Sequence, residues 1–149
     1  MDRVETTILR NLIHDEEYLR KVIPFIQPDY FDSHQDRVIF EEIAQFIVKY
    51  NKPASQEILK IEVENRSDIN DDEFKEIIGV LTSLDIQVIN SEWLVDTTEK
   101  WCRDRAIYLA LMSSIKIADG QDEKKNRDAI PTILSDALAV SFDNHIGHD

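Results

Sequence analysis

The stretch DYFDSHQDRVIF, residues 29–40, concentrates side chains that could do chemistry. Three carboxylates and an imidazole fall within it, at Asp29, Asp32, His34 and Asp36. Oxygen and nitrogen donors at such short spacing could hold a divalent metal ion, and the chain would then be a metal-dependent enzyme. The spacing does not match the loop of an EF-hand, however, and the chain contains no HExxH motif. The metal hypothesis therefore depends on these four residues alone.

The same residues also suit the start of a helix. Ser33 is a favourable N-cap residue, and Asp36 follows it by three positions, where an acidic side chain supports the first turn. The sequence favours this second interpretation. It predicts a helix that begins at about His34, a connection between two packed helices, and acidic side chains that lie in water.

Other catalytic constellations are not indicated. The acidic runs at residues 16–17, 41–42 and 71–73 fall in first turns or on polar helix faces, so we expect them to be solvated. The single cysteine, Cys102, lies beside Trp101 in a helical pattern, where a small buried residue is expected. The chain has only three glycines, so a glycine-rich phosphate loop cannot form. We expect no catalytic residue and no bound cofactor in this chain.

Composition favours a helical protein. A chain of 149 residues is long enough to bury a core, and three glycines and four prolines are too few for the many turns of an all-β fold. The net charge of −13 disfavours direct binding to nucleic acid and suits basic partners. No signal-peptide pattern and no apolar run of about eighteen residues is present, so we expect a cytoplasmic protein without a membrane span.

Hydrophobic periodicity predicts an all-α fold, with a compact head of five helices followed by a long antiparallel helical hairpin. The domain prediction is a head over residues 1–88, a hairpin over 89–143 and the start of a linker over 144–149. Residues 56–65 fit a strand period as well as a helix. The predicted helices run approximately over residues 4–13, 16–26, 34–50, 56–65, 71–84, 92–118 and 129–142.

The first hairpin helix carries an unusual apolar stripe. Its members alternate in steps of four and three, which is typical of a coiled coil: Leu94, Thr98, Trp101, Arg105, Tyr108, Met112 and Ile115. Its apolar surface looks wider than one partner helix could cover, so we expect part of it to mediate self-association. Packing within the chain is the alternative for each residue. The predicted interface residues are Trp93, Trp101, Tyr108, Met112, Ile133, Leu134 and Leu138.

An ordered set of segments resembles the N-terminal domain of DnaB-type replicative helicases. The first is residues 8–43, in which a helix with Leu-Ile-x-Asp at its end precedes PDYFDS and a helix that carries Ile-Phe. The others are FIVKYNKPAS, SEWLVDTTEKWCRDRA and the stretch that starts with IPTILSDALAV. The likeness spans essentially the whole chain and is greatest to the T-even phage branch of the family.

This resemblance implies a place in DNA replication. Helicases of this family form hexameric rings, and their motor domain uses ATP or GTP with Mg²⁺ to move 5′→3′ on DNA. The chain would be the collar domain, which pairs with itself, stabilises the hexamer and docks primase within the primosome. A helicase loader is a further possible partner, and DNA would be met only through the full-length ring. The rival hypothesis is an acidic helical adaptor that binds a basic host protein.

Overall fold

The computed structural model describes residues 3–121 and 125–142 of the chain. Two compact units are present, and the first ends at Val95. The first unit is built from five α-helices, two short 3₁₀ turns at Ile23–Phe25 and Pro28–Tyr30, and the start of a sixth helix. The five helices are α1 (Val4–His14), α2 (Glu16–Val22), α3 (His34–Tyr50), α4 (Gln56–Glu64) and α5 (Asp71–Ser83).

The core of the first unit forms around α3. This helix packs against α1, α4 and α5, while α1 also packs against α2, and α4 against α5. The rings of Phe31 and Phe40 lie 5.3 Å apart in this core. The helices contribute buried aliphatic side chains at helical spacing, which is the burial that stabilises such a bundle. Fully buried members are Ile8, Leu9, Leu12, Leu19, Ile39, Ile43, Leu59, Ile77 and Leu81.

Side-chain caps fix where the helices begin. Asp15 accepts a hydrogen bond from the amide of Tyr18 at the start of α2, and Ser55 accepts one from Ile58 at the start of α4. Asn70 and Glu73 form a reciprocal capping box at the start of α5. Each cap satisfies an amide that has no partner within the helix. These three helix starts confirm the sequence predictions.

Two helix ends in the first unit follow from backbone chemistry. The predicted second helix extended to residue 26, but α2 ends at Val22 because Pro24 falls in a 3₁₀ turn. Helix α3 ends at Tyr50, and its C-cap residue, Asn51, adopts a left-handed conformation with φ of 56°. The guanidinium of Arg20 donates to the Asn51 carbonyl oxygen at 2.8 Å and to its side-chain oxygen at 3.0 Å. This contact stabilises the turn and ties it to α2.

The second unit begins at Asp96. It contains the rest of the long helix α6 (Ser91–Ala118), a 3₁₀ turn (Arg127–Ala129) and α7 (Ile130–Leu138). Gly120 ends α6 with φ of 75°, a conformation that L side chains rarely adopt. The amide of Gln121 donates to the carbonyl of Lys116, and the amide of Gly120 donates to that of Ile117, which together form a Schellman motif. The predicted end of this helix at about residue 118 is confirmed.

The all-α prediction is confirmed, because residues 3–121 and 125–142 form seven α-helices and no strand. The strand alternative for residues 56–65 is wrong, since this segment is helix α4. Helix α7 is shorter than predicted and ends at Leu138. The division into residues 1–88, 89–143 and 144–149 stays a prediction, and its last part lies outside the described residues. No described helix is long and apolar enough to cross a membrane.

Candidate protein-interaction surface

The acidic stretch at residues 29–40 starts a helix, as the capping pattern predicts. The hydroxyl of Ser33 accepts a hydrogen bond from the Asp36 amide at 3.3 Å, and His34 is the first residue of α3. The His34 imidazole lies 3.1 Å from the Glu73 carboxylate on α5. Asp29 and Asp32 are exposed. The first turn of α3 is thereby attached to α5.

Asp36 corrects the expectation that the acids of this stretch lie in water. Its side chain is buried, and one carboxylate oxygen accepts a hydrogen bond from Arg3 at 3.1 Å. Burial raises the pKa of Asp36, and the nearby Arg3 guanidinium offsets part of that effect. The sequence could not show this, because Arg3 lies 33 positions earlier in the chain. Asp36 joins the start of α3 to the residue that precedes α1.

Glu42 corrects the expectation that the pair at residues 41–42 is solvated. Its carboxylate is buried and accepts a hydrogen bond from Arg66 at 2.8 Å. Arg66 also pairs with Glu41 at 3.1 Å and with Asp68 at 2.7 Å. Burial raises the pKa of Glu42, which Arg66 partly offsets, while hydrogen bonding to Asp68 and the two glutamates raises the pKa of Arg66. The cluster connects α3 to the segment between α4 and α5.

In the part of the chain that the structure describes, no arrangement of side chains supports the metal hypothesis. Among residues 3–121 and 125–142, no three His, Cys, Asp or Glu side chains come together in a way that could hold a metal ion. Asp36 is bound to Arg3 and His34 to Glu73, so the four residues of the hypothesis are not assembled as one ligand set.

Cys102 is buried, as expected for its position in a helix. Burial raises the pKa of its thiol to about 12. The thiol is therefore protonated near neutral pH, whereas a nucleophilic cysteine requires the thiolate. Cys102 acts as a packing residue.

The apolar stripe of α6 is buried over only part of its length. Leu94, Thr98 and Trp101 are buried, but Tyr108, Met112 and Ile115 are about half exposed. In the second half of the helix, a different face is buried, formed by the smaller side chains of Ala110 and Ser114 together with Ile117. Helix α6 therefore has two apolar faces in this half, and the face with the larger side chains is in contact with solvent.

One member of this exposed face was not predicted from the sequence. Leu111 is also about half exposed and lies three or four positions from Tyr108 and Ile115, so it shares their side of the helix. The guanidinium of Arg105 lies 4.7 Å from the centre of the Tyr108 ring. We refer to Tyr108, Leu111, Met112 and Ile115 as the exposed α6 face. A 3.6-residue period would have included Leu111, whereas the heptad pattern skipped it.

The other predicted interface residues differ in exposure. The Trp93 side chain is 51% exposed and that of Trp101 only 9% exposed. On α7, Ile133 and Leu134 are half buried and Leu138 is exposed. Their assignment to an interface stays a prediction, and the burial of Trp101 suits a core position better than a surface contact.

Hydrogen bonds connect α6 with the segments on both sides of α7. Glu99 accepts from the Phe142 amide at 2.8 Å and from the Ser141 hydroxyl at 3.1 Å. Arg103 donates to the Val140 carbonyl at 3.1 Å, and Arg127 donates to the Ala118 carbonyl at 3.3 Å. Residues that follow α7 thus contact the early part of α6, and a residue just before α7 contacts the end of α6.

Comparison with known proteins identifies the class that this all-helical chain resembles. No protein-family model matches the chain. Over 95% of its length, however, the chain aligns with a replicative helicase of the DnaB-like type, which confirms the resemblance predicted from its sequence. That relative is the DnaB-like replicative helicase of Enterobacteria phage T4, and the two are 33% identical over 150 residues. The chain spans about a third of the length of this curated relative, 31%.

Proposed function

We propose that this chain is the assembly domain of a phage replicative DNA helicase and that it serves DNA replication through protein contacts. The observation that carries the proposal is the 33% identity to the phage T4 helicase along nearly the whole chain. In this proposal the chain contributes no catalytic residue. Nucleotide and Mg²⁺ are bound elsewhere in the helicase, and DNA is contacted through the complete ring.

The proposal includes a helical hairpin made from α6 and α7. The reversed order of the hydrogen bonds supports it: Arg127 contacts the end of α6, and Phe142 contacts Glu99 near its beginning. Two helices that run in opposite directions give this order. The hairpin of the proposal covers residues 89–143, after a head of residues 1–88.

The proposal also includes self-association through the exposed α6 face. Four large apolar side chains on one side of a helix form a patch that water solvates poorly, and a second copy of the same helix would cover it. Tyrosine and methionine are enriched in interface cores. A dimer formed in this way is the unit from which a hexameric ring would be assembled.

Sedimentation velocity at rising protein concentration tests this assembly. We expect a dimer or a weak higher oligomer, and Met112→Glu should weaken its association by about tenfold or more because it places a charge in the contact. The control is Ile61→Glu, at a comparably exposed isoleucine on α4. A strict monomer at every concentration, or equal effects of both variants, would contradict assembly through this face.

Docking of primase is the second part of the proposed function, and its support is the resemblance to replicative helicases. Titrating the labelled chain with the primase of the same phage should give saturable binding, measured by fluorescence anisotropy. A DNA-binding protein of unrelated fold and similar basic charge is the control for attraction to an acidic surface. Equal binding of both proteins would contradict specific docking and would favour the acidic-adaptor hypothesis.

A further inference from the structure

The segment between α5 and α6 has the properties of an unpaired strand. Residues 85–90 run without a helix, turn or bend, as expected of an extended chain. Across residues 85–89, the amide and carbonyl groups make no hydrogen bond with any part of the chain that the structure describes. Such a row of free donors and acceptors can pair with another extended chain.

Two aliphatic side chains of this segment point into solvent. Ile86 is 70% exposed and Val88 is fully exposed. Alternate residues of an extended chain lie on the same side, so these two form a small apolar strip. β-Branched residues are favoured in strands because they pack well against a neighbouring strand.

A cleft of about 280 Å³ accompanies the segment. At the start of the segment, the carbonyl oxygen of Leu84 lies 2.7 Å from Nε2 of the His14 imidazole, and this contact holds the segment in place. The wall opposite the segment is formed by Asn11, His14, Asp15 and Glu16. The cleft therefore has two carboxylates beside an apolar strip, and that of Glu16 also pairs with the guanidinium of Arg20 at 2.9 Å.

We propose that residues 85–89 form a docking strand for an extended, basic segment of a partner protein. The added segment pairs with the free backbone groups, covers Ile86 and Val88, and places a lysine or arginine against Asp15 and Glu16. Backbone pairing supplies the affinity, and the acidic cleft supplies the preference for a basic partner. This interaction lies outside the proposed assembly function and involves none of the residues of the exposed α6 face.

Charge favours a foreign partner over a second copy of the chain. A copy placed on this strand would bring its own acidic cleft and a net charge of −13 against the same surface. Like charges brought together in this way are repelled. A basic peptide is attracted to the same site.

The test uses the intact chain and a fluorescein-labelled peptide of alternating valine and lysine. We expect saturable binding with a Kd tighter than about 1 mM. Hydrogen exchange at the amides of residues 85–89 should slow by about tenfold when the peptide is bound, because pairing protects these amides. A peptide of the same sequence with methylated backbone nitrogens has the same charge and cannot form the ladder, so it should bind at least about tenfold more weakly.

Two variants with a matched control locate the site. Gln87→Pro removes a backbone donor from an exposed position, and Val88→Ser removes part of the apolar strip. Each should weaken peptide binding by about tenfold, whereas Val48→Ser, at an exposed valine on α3, should not change it. Circular dichroism confirms that each variant is folded.

The proposal would be overturned by the absence of saturable binding, by equal binding of the methylated peptide, by protection of amides outside residues 85–89, or by equal effects of Val88→Ser and Val48→Ser. If Gln87→Pro instead abolishes self-association of the chain, the strand is an interface between copies, which also contradicts a foreign partner.

Discussion

At the scale of single residues, the first unit is notable for two buried carboxylates. Asp36 and Glu42 lie on α3, are buried, and are each paired with an arginine from another part of the chain. A carboxylate loses hydration when it is buried, and the ion pair returns only part of that free energy. For both residues, burial is the larger effect and the pKa is raised.

Asp36→Asn tests this balance. The folded-state pKa of Asp36 is raised above its unfolded value, so its contribution to stability is present below that value and is lost as pH rises through the folded pKa. Asparagine does not titrate. We expect the free energy of unfolding of Asp36→Asn, relative to that of the wild type, to increase from about pH 4 to about pH 7.

Urea unfolding at several pH values measures this difference. Asp32→Asn is the control, because it makes the same substitution at an exposed aspartate of the same segment. A relative stability of Asp36→Asn that falls as pH rises would show that the Arg3 ion pair outweighs burial.

These residues also show what the sequence can reveal. The caps at Ser33, Ser55 and Asn70 were predictable because each cap involves residues only three positions apart. The burial of Asp36 and Glu42 was not predictable. Their partners, Arg3 and Arg66, lie 33 and 24 positions away, and only the fold brings them together.

At the scale of elements, two glycines have opposite effects on the stability of their helices. Gly79 lies in the interior of α5, and a Cβ atom placed there meets nothing within 4 Å. Glycine at such a position costs helix stability because the unfolded chain has more conformational freedom. Gly120 is the opposite case, since its positive φ ends α6.

Replacing each of these glycines by alanine should therefore have opposite effects. We expect Gly79→Ala to raise the free energy of unfolding by about 1 kcal/mol. Gly120→Ala should lower it by about 1 kcal/mol, because alanine is strained in the left-handed region. Thermal and urea unfolding measure both variants. A destabilised Gly79→Ala would contradict the open space found around this position.

Helix α6 shows why its apolar pattern was only partly predictable. Leu94, Thr98 and Trp101 follow the steps of four and three and are buried. Further along, both sides of the helix are apolar, so the sequence alone could not indicate which one faces the interior. The smaller side chains of Ala110 and Ser114 are the buried ones.

Two alanine substitutions distinguish a core residue from a surface residue in the second unit. Trp101 is buried, so Trp101→Ala should lower the free energy of unfolding by about 3–5 kcal/mol. Leu138 is exposed, so Leu138→Ala should change it by no more than about 0.5 kcal/mol. Urea unfolding gives both values. A large loss for Leu138→Ala at high protein concentration, absent at low concentration, would place Leu138 in an interface between copies.

At the scale of the whole molecule, charge and apolar surface favour different kinds of partner. The net charge of −13 attracts basic molecules over a distance that salt shortens. The exposed α6 face attracts apolar surface, and salt has little effect on that attraction. The assembly hypothesis and the acidic-adaptor hypothesis can therefore be separated by ionic strength.

Self-association through α6 should persist in salt. We expect the dissociation constant of the assembled chain, measured by sedimentation, to change by less than about threefold between low and high ionic strength, or to tighten as repulsion between acidic copies is screened. A chain that associates only at low salt, and only with basic proteins, would support the adaptor hypothesis.

The fluorescence of the two tryptophans can report separately on two parts of the chain. Trp93 is half exposed and belongs to the first unit, whereas Trp101 is buried and belongs to the second, although both lie on α6. Indole emission shifts to longer wavelength when water reaches the ring, so the two side chains should emit differently in the native chain. Variants with Trp93→Phe or Trp101→Phe each retain one emitter. Comparing their melting curves would reveal whether the long helix transmits unfolding from one unit to the other or whether each unit melts alone.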